Sequence, residues 1–214
     1  MAISTYAELQ TAVGSNWLNR SDLTSRVPEF ISLCESELDR RLRTTDQLKR
    51  ATTTASDQYV ALPSDFLEMR NIQLDTSPVK RLKFITPDHA DDLRRRAYNS
   101  TAEPIYFTIL GNSVELLPTP VTPPTLQISY YGRVSKLSDS NTANTILTNA
   151  PDIYLYGSLK HAEPFLMNDE RVQLWGTLFE RGIEELQRSE DKQQEYDGVM
   201  MMNPAVRLDY GAWR

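Results

Sequence analysis

Two histidines, His89 and His161, and one cysteine, Cys34, are the side chains in this sequence best suited to metal or nucleophilic chemistry. A zinc site needs ligands at short, repeated spacings, and neither histidine has a cysteine or an HExxH partner beside it. Cys34 falls in the apolar stripe of a helix, where a thiol packs as a small hydrophobe. A single cysteine also excludes an internal disulfide and fits a reducing cytosol. Glu35 with Asp39, and Glu184 with Glu185, could be imagined as acid and base. They fall on helix faces expected to be exposed, where nothing would separate two pKa values. The run SDSNTANT, from Ser138 to Thr145, has the Asp and Asn content of a calcium loop. It lacks the central glycine and the closing glutamate, so its polar residues read as caps and turns. The sequence holds no GxSxG, P-loop, GxGxxG or EF-hand pattern. No catalytic residue, cofactor or metal site is therefore expected.

Charge placement bears on nucleic acid. Arg40, Arg41, Arg43, Lys49 and Arg50 cluster and could meet phosphates, although a charged helix face is more often solvated or ion-paired. The net charge is −6, and between Glu163 and Asp197 there are ten acids against four bases. The whole surplus sits there and the remainder balances, which argues against a chain built mainly to grip phosphates. With 214 residues, 40% of them hydrophobic and 24% charged, the chain can bury one good core or two small ones. No apolar run approaches the roughly 20 residues that span a bilayer, and the first residues lack a signal-peptide pattern, so no membrane partner is expected.

Several elements must position these groups. Tyr6, Leu9, Val13 and Trp17 recur at helical spacing behind a cap at Ser4 or Thr5, giving a first helix that ends near Asn19. Val27, Phe30, Ile31, Cys34, Leu38 and Leu42 make the apolar face of a second helix, with Pro28 in its first turn. Its other face, with Glu35, Asp39 and the arginines, is expected to be solvated or to line an interface. Strands are predicted over residues 58–62, 69–74, 79–84, 105–110, 113–117 and 126–131, with Gly111-Asn112 as a tight hairpin. Thr86 and Pro87 start one helix within this set, with acids near its beginning and Arg94, Arg95 and Arg96 near its end, as the helix dipole prefers. Pro151 starts another helix that Pro164 ends or kinks. A last helix of roughly 20 residues begins around Asn168, carrying Val172, Trp175, Leu178, Phe179, Ile183 and Leu186 on one face.

The resulting expectation is an α+β protein: a helical bundle formed by N- and C-terminal helices, with an inserted β-rich middle domain and an extended C-terminal arm. Residues 1–50 and 140–197 would form the bundle, 51–139 the insert and 198–214 the arm. The arm, GVMMMNPAVRLDYGAWR, is too apolar for an ordinary polar tail, so it is expected either to fold back or to dock on a partner.

The run LSDSNTANTILTNAPDIYLYGSL, followed by NDER and VQLWGTLFERGIEEL, resembles the head-to-tail adaptor, or connector, proteins of tailed bacteriophages. FISLCESELDRRLR (Phe30 to Arg43), YVALPSDFLEMRNI (Tyr59 to Ile72) and LGNSVELLPTP (Leu110 to Pro120) extend the resemblance. It implies a structural virion protein at the head-tail junction, made in the host cytoplasm. Copies would form a ring, usually dodecameric, between the portal protein and tail or nozzle proteins, passing double-stranded DNA non-specifically through its channel. Arg207, Tyr210 and Trp213 in the arm are the expected portal anchors, because aromatics and arginine dominate such interfaces. Glu180, Glu184 and Glu185 are the expected channel-facing acids, where like charge would keep DNA sliding. A tail-completion ring component, and a monomeric DNA-binding accessory protein using the Arg40 to Arg50 cluster, are the alternatives.

Overall fold

The structure is a computed structural model that describes residues 3–96, 101–167 and 169–198. It is mixed α+β with two β-sheets, and the chain divides into two compact units, 1–44 with 135–214, and 45–134.

The discontinuous unit is helical. Thr5 opens α1 (Tyr6–Thr11) with a capping box: its hydroxyl accepts from the Glu8 amide, and the Glu8 carboxylate accepts from the Thr5 amide. From Ala12 to Trp17 the turns widen to a π-type helix, as the Leu18 N–H donating to the Val13 carbonyl shows. The wider turn rotates Trp17 off the apolar stripe. Tyr6, Leu9 and Val13 are buried as expected, whereas Trp17 is 46% exposed. Pro28 sits in the first turn of α2 (Val27–Arg41), which buries Val27, Phe30, Ile31, Cys34 and Leu38. A short helix, α4 (Thr145–Asn149), was not expected; the Asn144 side chain caps it by accepting from the Leu147 amide. Asn141 and Ser138 bond each other's backbone just upstream, so the SDSNTANT run is built of turns and a cap.

Helix α5 (Pro151–Phe165) carries Pro164 in its last turn and stops one residue later. It lies between α2 and α6 (Asp169–Gly198), with Gly157 at the crossing against Cys34 and Phe179. At 30 residues α6 is longer than the apolar stripe predicts. Beyond Leu186 strong helix formers and pairs such as Glu184 with Arg188 continue it to about 45 Å.

The continuous unit is a sandwich of two four-stranded sheets. One has the order β1-β8-β3-β4, from β1 (Leu48–Thr54), β8 (Thr125–Gly132), β3 (Phe66–Leu74) and β4 (Lys80–Arg81). The other has the order β2-β7-β6-β5, from β2 (Tyr59–Ala61), β7 (Ser113–Leu117), β6 (Tyr106–Leu110) and β5 (Lys83–Phe84). Alternate residues of both sheets, among them Val60, Ile72, Leu74, Val114, Leu116 and Ile128, meet in one apolar core. In the β6–β7 hairpin only Gly111 takes a positive φ, 59°, the pattern of a two-residue turn that needs glycine at its first position. Helix α3 (Pro87–Arg95) starts at the Thr86 cap, as expected.

Two sequence expectations need correction here. Residues 48–54 form β1, where no strand was expected and of which 48–50 had been counted with the bundle; it pairs with β8 along its whole length. The single strand expected over 79–84 is two short pieces. Leu82 turns into the core between them, so the chain pairs with β3 in one sheet and then with β6 in the other.

Candidate interaction surfaces

Charge and aromatic surface meet where α2, α5 and α6 pack. Glu37 of α2 accepts from Lys160 Nζ at 2.8 Å and from Arg41 Nη1 at 3.3 Å, and His161 Nε2 lies 3.1 Å from its other oxygen. Arg41 forms a two-pronged pair with Glu180 of α6, one contact at 2.6 Å. Lys160 and Arg41 both lie over the Phe179 ring, at 4.9 and 6.0 Å from its centre. Burial alone would raise the Glu37 carboxyl, but the hydrogen bonds from Lys160 and Arg41 and the nearby cations hold it below the usual range. The hydrogen bond from Arg41 likewise lowers Glu180. Burial lowers His161, with Glu37 opposing.

A carboxylate lowered on folding adds stability above its ordinary value, 4.5 for glutamate, and loses it as pH falls through that value and the lower folded one. Glu37→Gln is therefore expected to flatten the decline of Tm as pH falls from about 5 to about 3. A thermal melt series in which the variant keeps the full acid decline would show that Glu37 carries none of it.

Glu35 corrects an expectation, since the sequence placed it on an exposed face. It is only 7% exposed: its Oε1 accepts from the Leu137 amide at 2.7 Å and from the Tyr154 hydroxyl at 3.5 Å. Burial pushes its carboxyl up. Asn144 donates to the same Tyr154 hydroxyl at 2.7 Å, so one buried polar chain ties α2 to the segment that re-enters the helical unit at Ser135. Alternating polarity gives no sign of such a site, because a helix-face pattern cannot show which later segment will cover it.

Cys34 is buried, and desolvation drives its thiol pKa up, so it is a packing residue. Among the described residues no three His, Cys, Asp or Glu side chains are grouped to hold a metal ion, and no helix is long and apolar enough to cross a membrane.

The other candidate residues are scattered. Glu184 pairs with Arg188 and Glu185 with Arg181, both on the exposed surface of α6, while Glu180 is held by Arg41 on α2. The candidate anchors Arg207, Tyr210 and Trp213 lie outside the described residues. The basic cluster is divided between the units: Arg43 bonds the Asp39 and Leu42 carbonyls, whereas Lys49 of β1 pairs with Asp65 at 2.6 Å. Asp65 also accepts from Tyr130, whose phenol is pushed up to about 12 by burial and by that carboxylate.

Two surface features were not legible in the sequence. In the helical unit Trp17, Tyr156 and Trp175 form an aromatic group, with Trp17 edge-on at 5.4 Å to Trp175 and Tyr156 stacked on it at 6.0 Å. The Trp175 indole N–H donates to buried Glu163, and Phe165, Met167 and Leu174 are exposed nearby in sequence, Met167 by 91%. In the sandwich unit a cleft of about 330 Å³ opens between the two sheets, beyond the short β4–β5 crossover.

The sequence model of the SU10 adaptor protein family matches residues 4–207. No curated protein matches the chain. The matched span takes in both units, from the capped first helix through the sandwich to α6, and thus the whole described architecture. A match of that extent identifies the chain as a member of the SU10 adaptor protein family, a family of phage head-to-tail adaptors.

Proposed function

We propose that the protein is a structural component of the virion that joins the portal to the tail as a ring around the DNA channel. The family match over residues 4–207 carries this reading. In it, twelve copies sit side by side at the head-tail junction, and the helical units form the walls between neighbours. The exposed Phe165, Met167 and Leu174 of the α5–α6 corner support such contacts, because apolar side chains of this size are usually covered in an assembly. The sandwich unit meets tail or nozzle proteins, and the arm, through Arg207, Tyr210 and Trp213, docks on the portal protein. Glu184 and Glu185 are the better channel-facing candidates, since their pairs lie on the exposed surface of α6, whereas Arg41 ties Glu180 to α2. Their ion pairs with arginines four residues away soften the charge that passing DNA would meet.

Light scattering after gel filtration, with the protein alone and with a portal ring from the same source, tests this reading. Stoichiometric binding by the full chain is expected, together with loss of binding by a folded chain that ends at Asn203. A full chain that stays monomeric and ignores the portal ring sinks the adaptor reading. A truncated chain that binds normally sinks the assignment of the arm alone.

A further inference from the structure

The cleft in the sandwich unit has a wall that few pockets have. Residues 68–72 of β3 line it in unbroken succession. Side chains of a regular strand alternate between faces, so a space that touches five neighbours in a row takes in the strand's edge as well as one face, helped here by the irregular register of β3. That edge is open because β4 pairs only with Gln73 and Leu74, its last ladder bond running from the Leu82 amide to the Ile72 carbonyl. The chain then crosses to the second sheet, where β5 pairs only with Tyr106 and Phe107. Beyond these short pairings neither β3 nor β6 has a strand partner on this side among the described residues. Two register shifts, between Phe66 and Glu68 and between Met69 and Asn71, interrupt the pairing of β3 with β8 at the start of the stretch that lines the cleft and within it.

The interior of the cleft is apolar, with Met69, Phe107 and Ile109 facing it from the two sheets and Leu82 and Phe84 closing one end. Its polar features are specific. Asn71 Oδ1 is buried and accepts no hydrogen bond, although its amide nitrogen donates to Gln73. Arg70 and Arg81 stand exposed at the rim; Arg70 donates only to the Tyr131 hydroxyl, at 3.4 Å, and neither arginine has a carboxylate partner among the described residues. Glu68 is the single acid of the lining.

We propose that this cleft is a docking groove for an extended segment of a partner protein, apolar at alternate positions and acidic between them. The segment adds as a strand along the free edge of β3 and sets its apolar side chains against Met69, Phe107 and Ile109. Backbone hydrogen bonds to the open edge supply affinity, and the pockets for alternate side chains supply selectivity. A backbone N–H of the segment satisfies Asn71 Oδ1. The intervening acids pair with Arg70 and Arg81, which gives a use to two exposed arginines that have no carboxylate partner among the described residues. The binding mode stands on the sandwich alone; that a tail component supplies the segment rests on the adaptor reading.

The experiment uses the full chain and a fluorescent peptide of about nine residues alternating glutamate and valine, a length typical of a strand. A peptide with lysine in place of glutamate is the control. Anisotropy is expected to show saturable binding of the acidic peptide, at least about tenfold weaker for Arg70→Glu/Arg81→Glu, and none of the basic peptide. Both arginines are exposed, and circular dichroism confirms that the variant folds. Amide exchange slowed at residues 68–72 when the peptide is bound would locate it on the β3 edge. No binding, or equal binding of the two peptides, overturns the proposal. So does self-association of the chain that the same variant abolishes, which would make a second copy the occupant. Portal docking of the same preparations is measured separately, so a failure here leaves the adaptor reading standing.

Discussion

Gly157→Ala is expected to destabilise the helical unit by about 2 kcal/mol, even though alanine is the better helix former by about 1 kcal/mol. A Cβ at this position would stand 2.4 Å from Cys34 Sγ and 2.7 Å from Phe179 Cε2. Neither neighbour has room to retreat: both side chains are fully buried, one on α2 and the other on α6. The glycine is what lets α5 pass this close to both helices, so the added methyl must push two helices away at once. Gly176 of α6 gives an internal control of opposite sign. Its Cβ would meet nothing within 4 Å, so Gly176→Ala should stabilise by up to about 1 kcal/mol. Thermal melts should separate the two variants by several degrees in opposite directions from the parent, and Cys34→Ala should restore part of the loss in the Gly157→Ala background. A Gly157→Ala protein that melts at or above the parent would mean that the helices do not cross at this distance.

Phe179→Ala should cost more, about 3–5 kcal/mol, because a fully buried ring leaves both its transfer energy and a cavity behind. Two further effects push in the same direction. Lys160 and Arg41 lose the ring face over which they sit, and Glu37 and Glu180 then hold cations whose positions are no longer fixed. Phe179→Leu keeps most of the volume and should lose less than half as much. Denaturant titration with amide exchange is the measurement, and α5 and α6 should lose protection first. A loss below about 1 kcal/mol would show that the ring does not anchor α6. The Phe179→Ala/Gly157→Ala pair should cost less than the sum of its parts, since the new methyl enters space that the ring has vacated.

These residues also show where sequence reasoning reaches. Phe179 and Cys34 were legible as members of apolar stripes, because helical periodicity reports directly which face is buried. Gly157 was not, since a glycine inside a helix carries no periodic signal and its role depends on how close two other helices come. Trp17 fell on the right stripe until the widened π turn rotated it outward, a departure that 3.6-residue counting cannot foresee. β1 (Leu48–Thr54) was missed along its whole length, because its charged start and its run of threonines carry no alternation of apolar and polar residues. Glu35 read as solvated because the segment that covers it lies about a hundred residues downstream. The cleft was invisible for a similar reason: it arises where a predicted single strand breaks at Leu82 and shares itself between two sheets. The mixed α+β class and the adaptor family, by contrast, were readable from local texture and from long matching runs.

The way the chain enters and leaves the sandwich has a further consequence. Its first strand begins with Leu48 opposite Tyr131, near the end of its last, so the two points of attachment are zipped together as neighbouring strands about 5 Å apart. Some ninety residues are thus spliced into the helical unit through what amounts to a short stem, and their length imposes little loop-closure entropy on the helices once that stem has formed. A cassette fastened in this way can be exchanged, enlarged or trimmed with little change to the helical residues on either side. A family that keeps one helical unit while varying its insert would find in this stem a place where such exchange costs little.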